Sequence, residues 1–261
     1  MFPLHDDNPT HSFPLVTILL IAACVLIFLW QQSLGKHAQA VVYIFGATPA
    51  VLFGYKHLPP EIAFIPTWTT AFTSMFLHGG WMHLLGNMLF LWIFGNNIED
   101  AMGKKRFIIF YLLCGLAALL ANALPDPHST IPMIGASGAI SGVLGAYLIL
   151  FPNARVLVAI PLGIFIHTTR LPASWVLGFW FVFQIISSML ASGQQGGVAW
   201  AAHVGGFVAG MVLIPFFKKR ENFSFMSFNQ IPVLLFFPVS LLIFHPVFLT
   251  EAFNLSMTEH G

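Results

Sequence analysis

The chain has 261 residues; 57% are hydrophobic, 7% are charged and the net charge is +1, for a mean hydropathy of +0.84. So little charge leaves too little polar surface to cover a soluble globule, which excludes that class and points to a polytopic membrane protein. Nucleic acid is excluded as a partner as well, because phosphate neutralisation needs a basic face and the Lys and Arg residues here form short clusters between apolar segments.

Residues 1–12 read as a short N-terminal tail. The first apolar stretch, Phe13 to Trp30, has about the length that crosses the hydrocarbon, roughly 20 residues. Its "IAAC" ending at Cys24 looks like a lipoprotein cleavage box. The preceding His5, Asp6 and Asp7 are not the basic region a signal peptide needs, however, and the apolar run continues past Cys24, so an uncleaved span is expected. A loop of about fifty residues follows, with Pro49, Pro59, Pro60 and Pro66 and many apolar side chains, which is long enough to be a structured element rather than a linker. Spans two to six are expected over Trp81 to Ile98, Phe107 to Leu124, Gly135 to Phe151, Ala173 to Leu190 and Val198 to Phe217. The stretch Val156 to Ile166 is too short for a span and carries Pro161 and Gly163, so a loop or short strand packed against the bundle is expected there. Residues 13–217 thus form a membrane core, and 218–261 supply a cytoplasmic linker, a seventh span over Ile231 to Leu249 and a short tail. Cys24 and Cys114 lie in apolar runs and form no metal or redox pattern.

Orientation follows from the basic residues. With the N-terminus cytoplasmic, Lys104, Lys105, Arg106, Arg155, Arg170, Lys218, Lys219 and Arg220 fall inside and only Lys36 and Lys56 outside, as the positive-inside bias of an inner or plasma membrane protein requires. Spans two, four and six then all enter from the outer face. Each carries polar residues within its first two turns: His83 and Asn87, then Ser137, then His203. At 1.5 Å per residue these lie within roughly 10 Å of their helix ends and share one depth.

Each residue also has a plainer reading. A membrane serine commonly bonds back to its own helix, a lone histidine can be a packing residue, and His83 and Asn87, four apart on one face, suit a mutual structural bond as well as a shared site. His78 points to a different face and reads as loop-structuring. Gly138 and Gly142 follow Ser137, and Gly206 and Gly210 follow His203, each pair at spacing four, which lets two helix backbones approach closely. Packing spans four and six together brings the Ser137 hydroxyl within reach of the His203 ring, the contact a nucleophile and its general base require. No acidic residue lies in the middle of a span, so no third member of a triad is apparent, and no intramembrane lysine offers a serine and lysine pair. The same lack disfavours a proton-coupled transporter, and the absence of HExxH disfavours a metalloprotease.

With Ser137 in "GASGAISG", His203 in "AHVGGFVAG" and the run "HGGWMHLLGNMLFLWIFGNNIED" from His78 to Asp100, the chain resembles the rhomboid family of intramembrane serine proteases over about Ile65 to Phe217. The resemblance implies an all-α membrane bundle with a six-helix core, to which the seventh helix is appended. It implies Ser137 as nucleophile, His203 as general base, and Asn87 and His83 with the backbone amide of Ser137 as the oxyanion site. The implied partners are the lipid bilayer and transmembrane protein substrates, cut in or near a membrane helix, with no metal or organic cofactor. One departure is that Trp68 is followed by Thr69, where many rhomboids have arginine. The loop "SGQQGG" before span six has the composition of a lid. The rival reading is a catalytically silent rhomboid-like protein that binds or chaperones membrane helices; a binder needs neither Ser137 nor His203, and both are present.

Overall fold

A computed structural model of the chain describes residues 1–163, 165–190 and 199–219. Within them the order is β1 (Phe2–Asp6), α1 (Leu15–Ser33), α2 (Ala38–Phe45), α3 (Pro49–Leu52), α4 (Thr70–Thr73), α5 (Trp81–Met102), α6 (Lys104–Ala123), α7 (Ser137–Leu150), β2 (Arg155–Leu162), β3 (Phe165–Pro172), α8 (Ala173–Leu190) and α9 (Trp200–Phe217). The "SGQQGG" loop and the expected seventh span lie outside the described residues.

The protein is a mostly helical, multi-pass membrane protein. Helices α1, α6, α8 and α9 are long and apolar enough to cross a membrane. The other two expected spans differ for separate reasons. Helix α5 has 22 residues but is diluted by His83, Asn87, Asn96, Asn97, Glu99 and Asp100. Helix α7 has only 14 residues, about 21 Å at 1.5 Å per residue, against a hydrocarbon thickness of about 30 Å. It survives at that length because ten of its residues are buried among the other helices. Cys24 and Cys114 are buried free thiols of this interior.

The segment Val156 to Ile166 is extended chain rather than helix, as expected for a short strand. It runs through β2 into β3, a hairpin with Val158 opposite Thr169, and β1 from the N-terminal segment pairs antiparallel with β2 to complete a sheet in the order β1-β2-β3. The sheet is pinned to α7 by Tyr147, whose hydroxyl donates to Asp6 Oδ2 at 2.6 Å. Burial pushes the Asp6 carboxyl up from the usual range.

The first N–H groups of a helix have no intrahelical partners, and α1, which starts after Pro14, has no side-chain cap of its own. Its donors are met from α5 instead. Buried Glu99 accepts from the Val16 N–H at 3.0 Å, the Thr17 N–H at 2.8 Å and the Thr17 hydroxyl at 2.8 Å. A carboxylate at that position also complements the positive end of the α1 dipole. Next to it, Asp100 accepts from the His11 N–H at 2.8 Å and the Ser12 hydroxyl at 2.5 Å, and the Lys219 N–H donates to the Ala101 carbonyl at 3.0 Å. The end of α5 therefore holds both the start of α1 and the end of α9. Glu99→Ala orphans three donors, at about 1–3 kcal/mol for each that stays buried. We expect it to lower thermal stability in detergent substantially, and Glu99→Gln, which keeps an acceptor oxygen, to lower it less. Equal melting curves for Glu99→Ala and wild type would show that the clasp carries no stability.

The long loop between α1 and α5 is structured, as its length and apolar content led us to expect. It grips the chain that enters α7: Ala47 and Met133 exchange backbone hydrogen bonds at 3.0 and 2.9 Å, the Ala50 N–H donates to the Ser129 carbonyl at 2.9 Å, and the Gly135 N–H donates to the Ser74 carbonyl at 2.8 Å. The starting point of α7 is thereby fixed from outside the helix.

Helices α6, α7 and α9 pack closely, and the glycines divide the work in a way their spacing alone does not reveal. A Cβ on Gly206 would run into the carbonyl oxygen of Gly138, and one on Gly210 into that of Gly142. Clearance between α7 and α9 thus comes from the α9 glycines, with Gly145 of α7 abutting the Phe207 carbonyl. Gly138 and Gly142 face α6: a Cβ on Gly138 would lie 2.6 Å from Ala118 Cβ, and one on Gly142 would strike Cys114.

Candidate active site

Ser137 is the first residue of α7. The turn that delivers it needs Gly135, whose φ of +119° is a conformation L side chains rarely adopt. His203 stands in the first turn of α9, and the close α7–α9 seam sets its Nε2 2.8 Å from Ser137 Oγ. Its other ring nitrogen, Nδ1, lies 2.7 Å from Oε1 of Gln184 on α8. Trp180 and Trp200 flank the imidazole, with ring centroids 5.9 and 6.2 Å away. Both Ser137 and His203 are half-buried. One turn further on, Ser141 shows the ordinary behaviour of a membrane serine, its hydroxyl donating back to the Ser137 carbonyl at 2.6 Å.

On the α5 side, His83 Nδ1 accepts the Gly79 N–H at 3.3 Å, so a neutral His83 carries its proton on Nε2. A Cβ built on Gly135 would lie 2.7 Å from His83 Nε2 and 3.7 Å from Ser137 Oγ. The imidazole edge and the hydroxyl therefore border one small space that only glycine leaves open. Asn87, one turn along α5, is buried, and its Nδ2 has no hydrogen-bond partner among the described residues. An unmet buried donor costs about 1–3 kcal/mol, which is tolerable where a ligand is to be received. The backbone N–H groups of Ser137, Gly138 and Ala139, which open α7, likewise lack intrahelical acceptors, the first i to i−4 bond being that from Ile140 to Ala136.

His78 sets its ring edge-on against His83, with centroids 5.1 Å apart, but its other bonds run to the loop and to α1. Its N–H donates to Gln31 Oε1 at 3.1 Å and its carbonyl accepts from Gln31 Nε2 at 3.4 Å, tying the loop before α5 to α1. Burial, with His83 beside it, pulls its imidazole down to about 4. Among the described residues no group of three or more His, Cys, Asp or Glu could hold a metal ion. The residue that sequence reasoning missed is Gln184. The signal available was a lone amide in the apolar run "GFWFVFQII", but its partner is on another helix, at no fixed spacing.

Apolar helices whose polar residues gather at the starts of α5, α7 and α9, around a serine in contact with a histidine, define a class of multi-pass membrane protein with the groups of a serine hydrolase. The Rhomboid domain matches residues 66–220, and the chain belongs to the rhomboid family. It is 30% identical over 201 residues to Rhomboid protease GluP of Bacillus subtilis, covering 77% of this chain and 35% of that protein. It is 30% identical over 166 residues to RHOMBOID-like protein 5 of Arabidopsis thaliana, covering 61% and 47%, and 27% identical over 194 residues to the mitochondrial Rhomboid protein 1 of Saccharomyces cerevisiae, covering 67% and 53%. The chain spans between about a third and about half of the length of these relatives.

Proposed function

We propose that this protein is an intramembrane serine endopeptidase that cuts transmembrane proteins within or near their membrane helices. The observation that carries the reading is the 2.8 Å contact between Ser137 Oγ and His203 Nε2. In the proposed reaction His203 Nε2 takes the hydroxyl proton as Ser137 Oγ attacks a substrate carbonyl. The developing oxyanion is received by Asn87 Nδ2, His83 Nε2 and the Ser137 backbone N–H, whose preorganisation offsets the charge. His203 then gives its proton to the leaving amine, and water hydrolyses the acyl-enzyme. A peptide bond in an intact helix has its carbonyl bonded within the helix, so substrates with small or helix-breaking residues near the cut are favoured.

The proposed topology has the N-terminus cytoplasmic and the site opening toward the outer face. It is supported by basic residues at the end of the bundle away from Ser137, where Arg106 donates to the carbonyls of Phe217 and Lys218 at 3.4 and 3.3 Å. Residues 13–217 are the proposed protease core. The test is labelling of purified protein with a fluorophosphonate or isocoumarin probe, in detergent and in lipid. Labelling of wild type but of neither Ser137→Ala nor His203→Ala supports the reading, whereas a folded wild type inert to several probes favours a silent membrane-helix binder. Asn87→Ala is expected to lower kcat on a reconstituted transmembrane substrate by about 10²- to 10³-fold with little change in KM. An equal fall in thermal stability would assign Asn87 to structure instead.

A further inference from the structure

We infer that Gln184 is a positioning residue for His203: its amide oxygen takes the Nδ1 proton and so holds the imidazole in the tautomer whose Nε2 lone pair faces Ser137. The inference rests on the protease reading given above and adds a member to the two-residue arrangement. Gln184 Oε1 is 2.7 Å from Nδ1, while Nε2 is 2.8 Å from Ser137 Oγ, so the three side chains form one chain of hydrogen bonds across α8, α9 and α7. A neutral imidazole has one donor and one acceptor nitrogen, and whatever bonds the first decides what the second can do. With an oxygen at Nδ1 the proton stays there, and Nε2 accepts the serine hydroxyl. With the amide reversed, its NH₂ would face Nδ1, the proton would move to Nε2, and the imidazole would become a donor toward Ser137 with no capacity to act as base.

Gln184 is suited to hold one orientation. It is buried, and Trp180, four residues earlier and hence on the same face of α8, sets its ring against His203. The indole restrains the imidazole at its face and the amide restrains it at its Nδ1 edge. The use of an amide has a physical reason. A carboxylate in the same place would be an ionised group buried in a membrane bundle, and such groups are costly unless paired. An uncharged amide gives the orientation without that cost and forgoes most of the charge stabilisation that an aspartate supplies in a triad.

The experiment compares Gln184→Met, which keeps the length and replaces the amide oxygen with a thioether, a far weaker acceptor, with Gln184→Glu, which keeps an acceptor oxygen. It measures kcat and KM on a reconstituted transmembrane substrate, the melting curve, and the ¹⁵N ring resonances of His203 in histidine-labelled protein. Gln184→Met is expected to lose about 10- to 100-fold in kcat, less than the roughly 10⁴-fold a wrong tautomer costs a carboxylate triad. KM and the melting curve should stay close to wild type, and the His203 resonances should lose the protonated-Nδ1 pattern; Gln184→Glu should recover most of the kcat. Wild-type kcat with an unchanged ring spectrum in Gln184→Met would overturn the inference, as would parallel losses of stability and activity in Gln184→Met. The ring spectrum reads the hydrogen bond without turnover, so a wild type inert to probes but with Nδ1 protonated would refute the protease reading and leave the assignment of this bond standing.

Discussion

Ser137→Ala is expected to abolish cleavage and probe labelling together, and His203→Ala to do the same. The double variant should be no slower than either single one. Residues that act as a unit in a serine hydrolase are strongly non-additive, and losing either the nucleophile or its base costs on the order of 10⁶ in kcat, about as much as losing both. The fold should survive, because the Ser137 hydroxyl is engaged with His203 while the start of α7 is held by backbone bonds such as that from Gly135 to Ser74. Melting curves and single-turnover rates on a reconstituted substrate check both parts. Appreciable turnover by pure Ser137→Ala would overturn the nucleophile assignment, and a double variant much slower than both singles would show that the two side chains act separately.

Gly206→Ala is expected to have the second-largest effect although it adds one methyl group. That methyl would run into the Gly138 carbonyl, a backbone atom with no rotamer by which to move aside, so the α7–α9 seam itself has to part. Overpacking of ordinary cores costs about 1–3 kcal/mol and occasionally more; here a loss at or above the top of that range is expected, with a matching loss of probe labelling, since the seam sets the distance from Ser137 to His203. Gly86→Ala on α5 is the control, because a Cβ there meets nothing within 4 Å. If the two variants melted alike, the close approach of these helices would be without energetic weight.

Much of the site was legible because polar atoms are expensive in apolar helices. Ser137, His203, Asn87 and His83 stand out for that reason, and they fall in the first two turns of α7, α9 and α5, with Ser137 Oγ in contact with His203 Nε2. Gln184 obeys the same rule and was passed over, because a side-chain amide announces no chemistry until its partner is known. Glu99 was weighed only as an acid absent from mid-span, whereas its task is to end the orphan donors of α1, a helix that begins 84 residues earlier at Leu15. The strand β1 was unreadable in isolation. Pro3, His5 and Asp6 carry little strand propensity, and what makes them a strand is pairing with β2, far away in sequence. Glycine spacing announced close contact but not its direction, since residues four apart share a face without saying which neighbour that face meets.

The shortness of α7 has a mechanical consequence. Bilayer thickness acts on a spanning helix through mismatch and tilt. Helix α7 offers little for acyl chains to grip, since Ile149 is its one exposed residue, whereas α9 turns Val208, Val212 and Phe216 outward. Mismatch therefore bears directly on α9 and reaches α7 only through the glycine seam that joins the two helices. Because the serine and the imidazole stand on opposite sides of that seam, they travel as one body and the contact between them is insulated from the acyl chains.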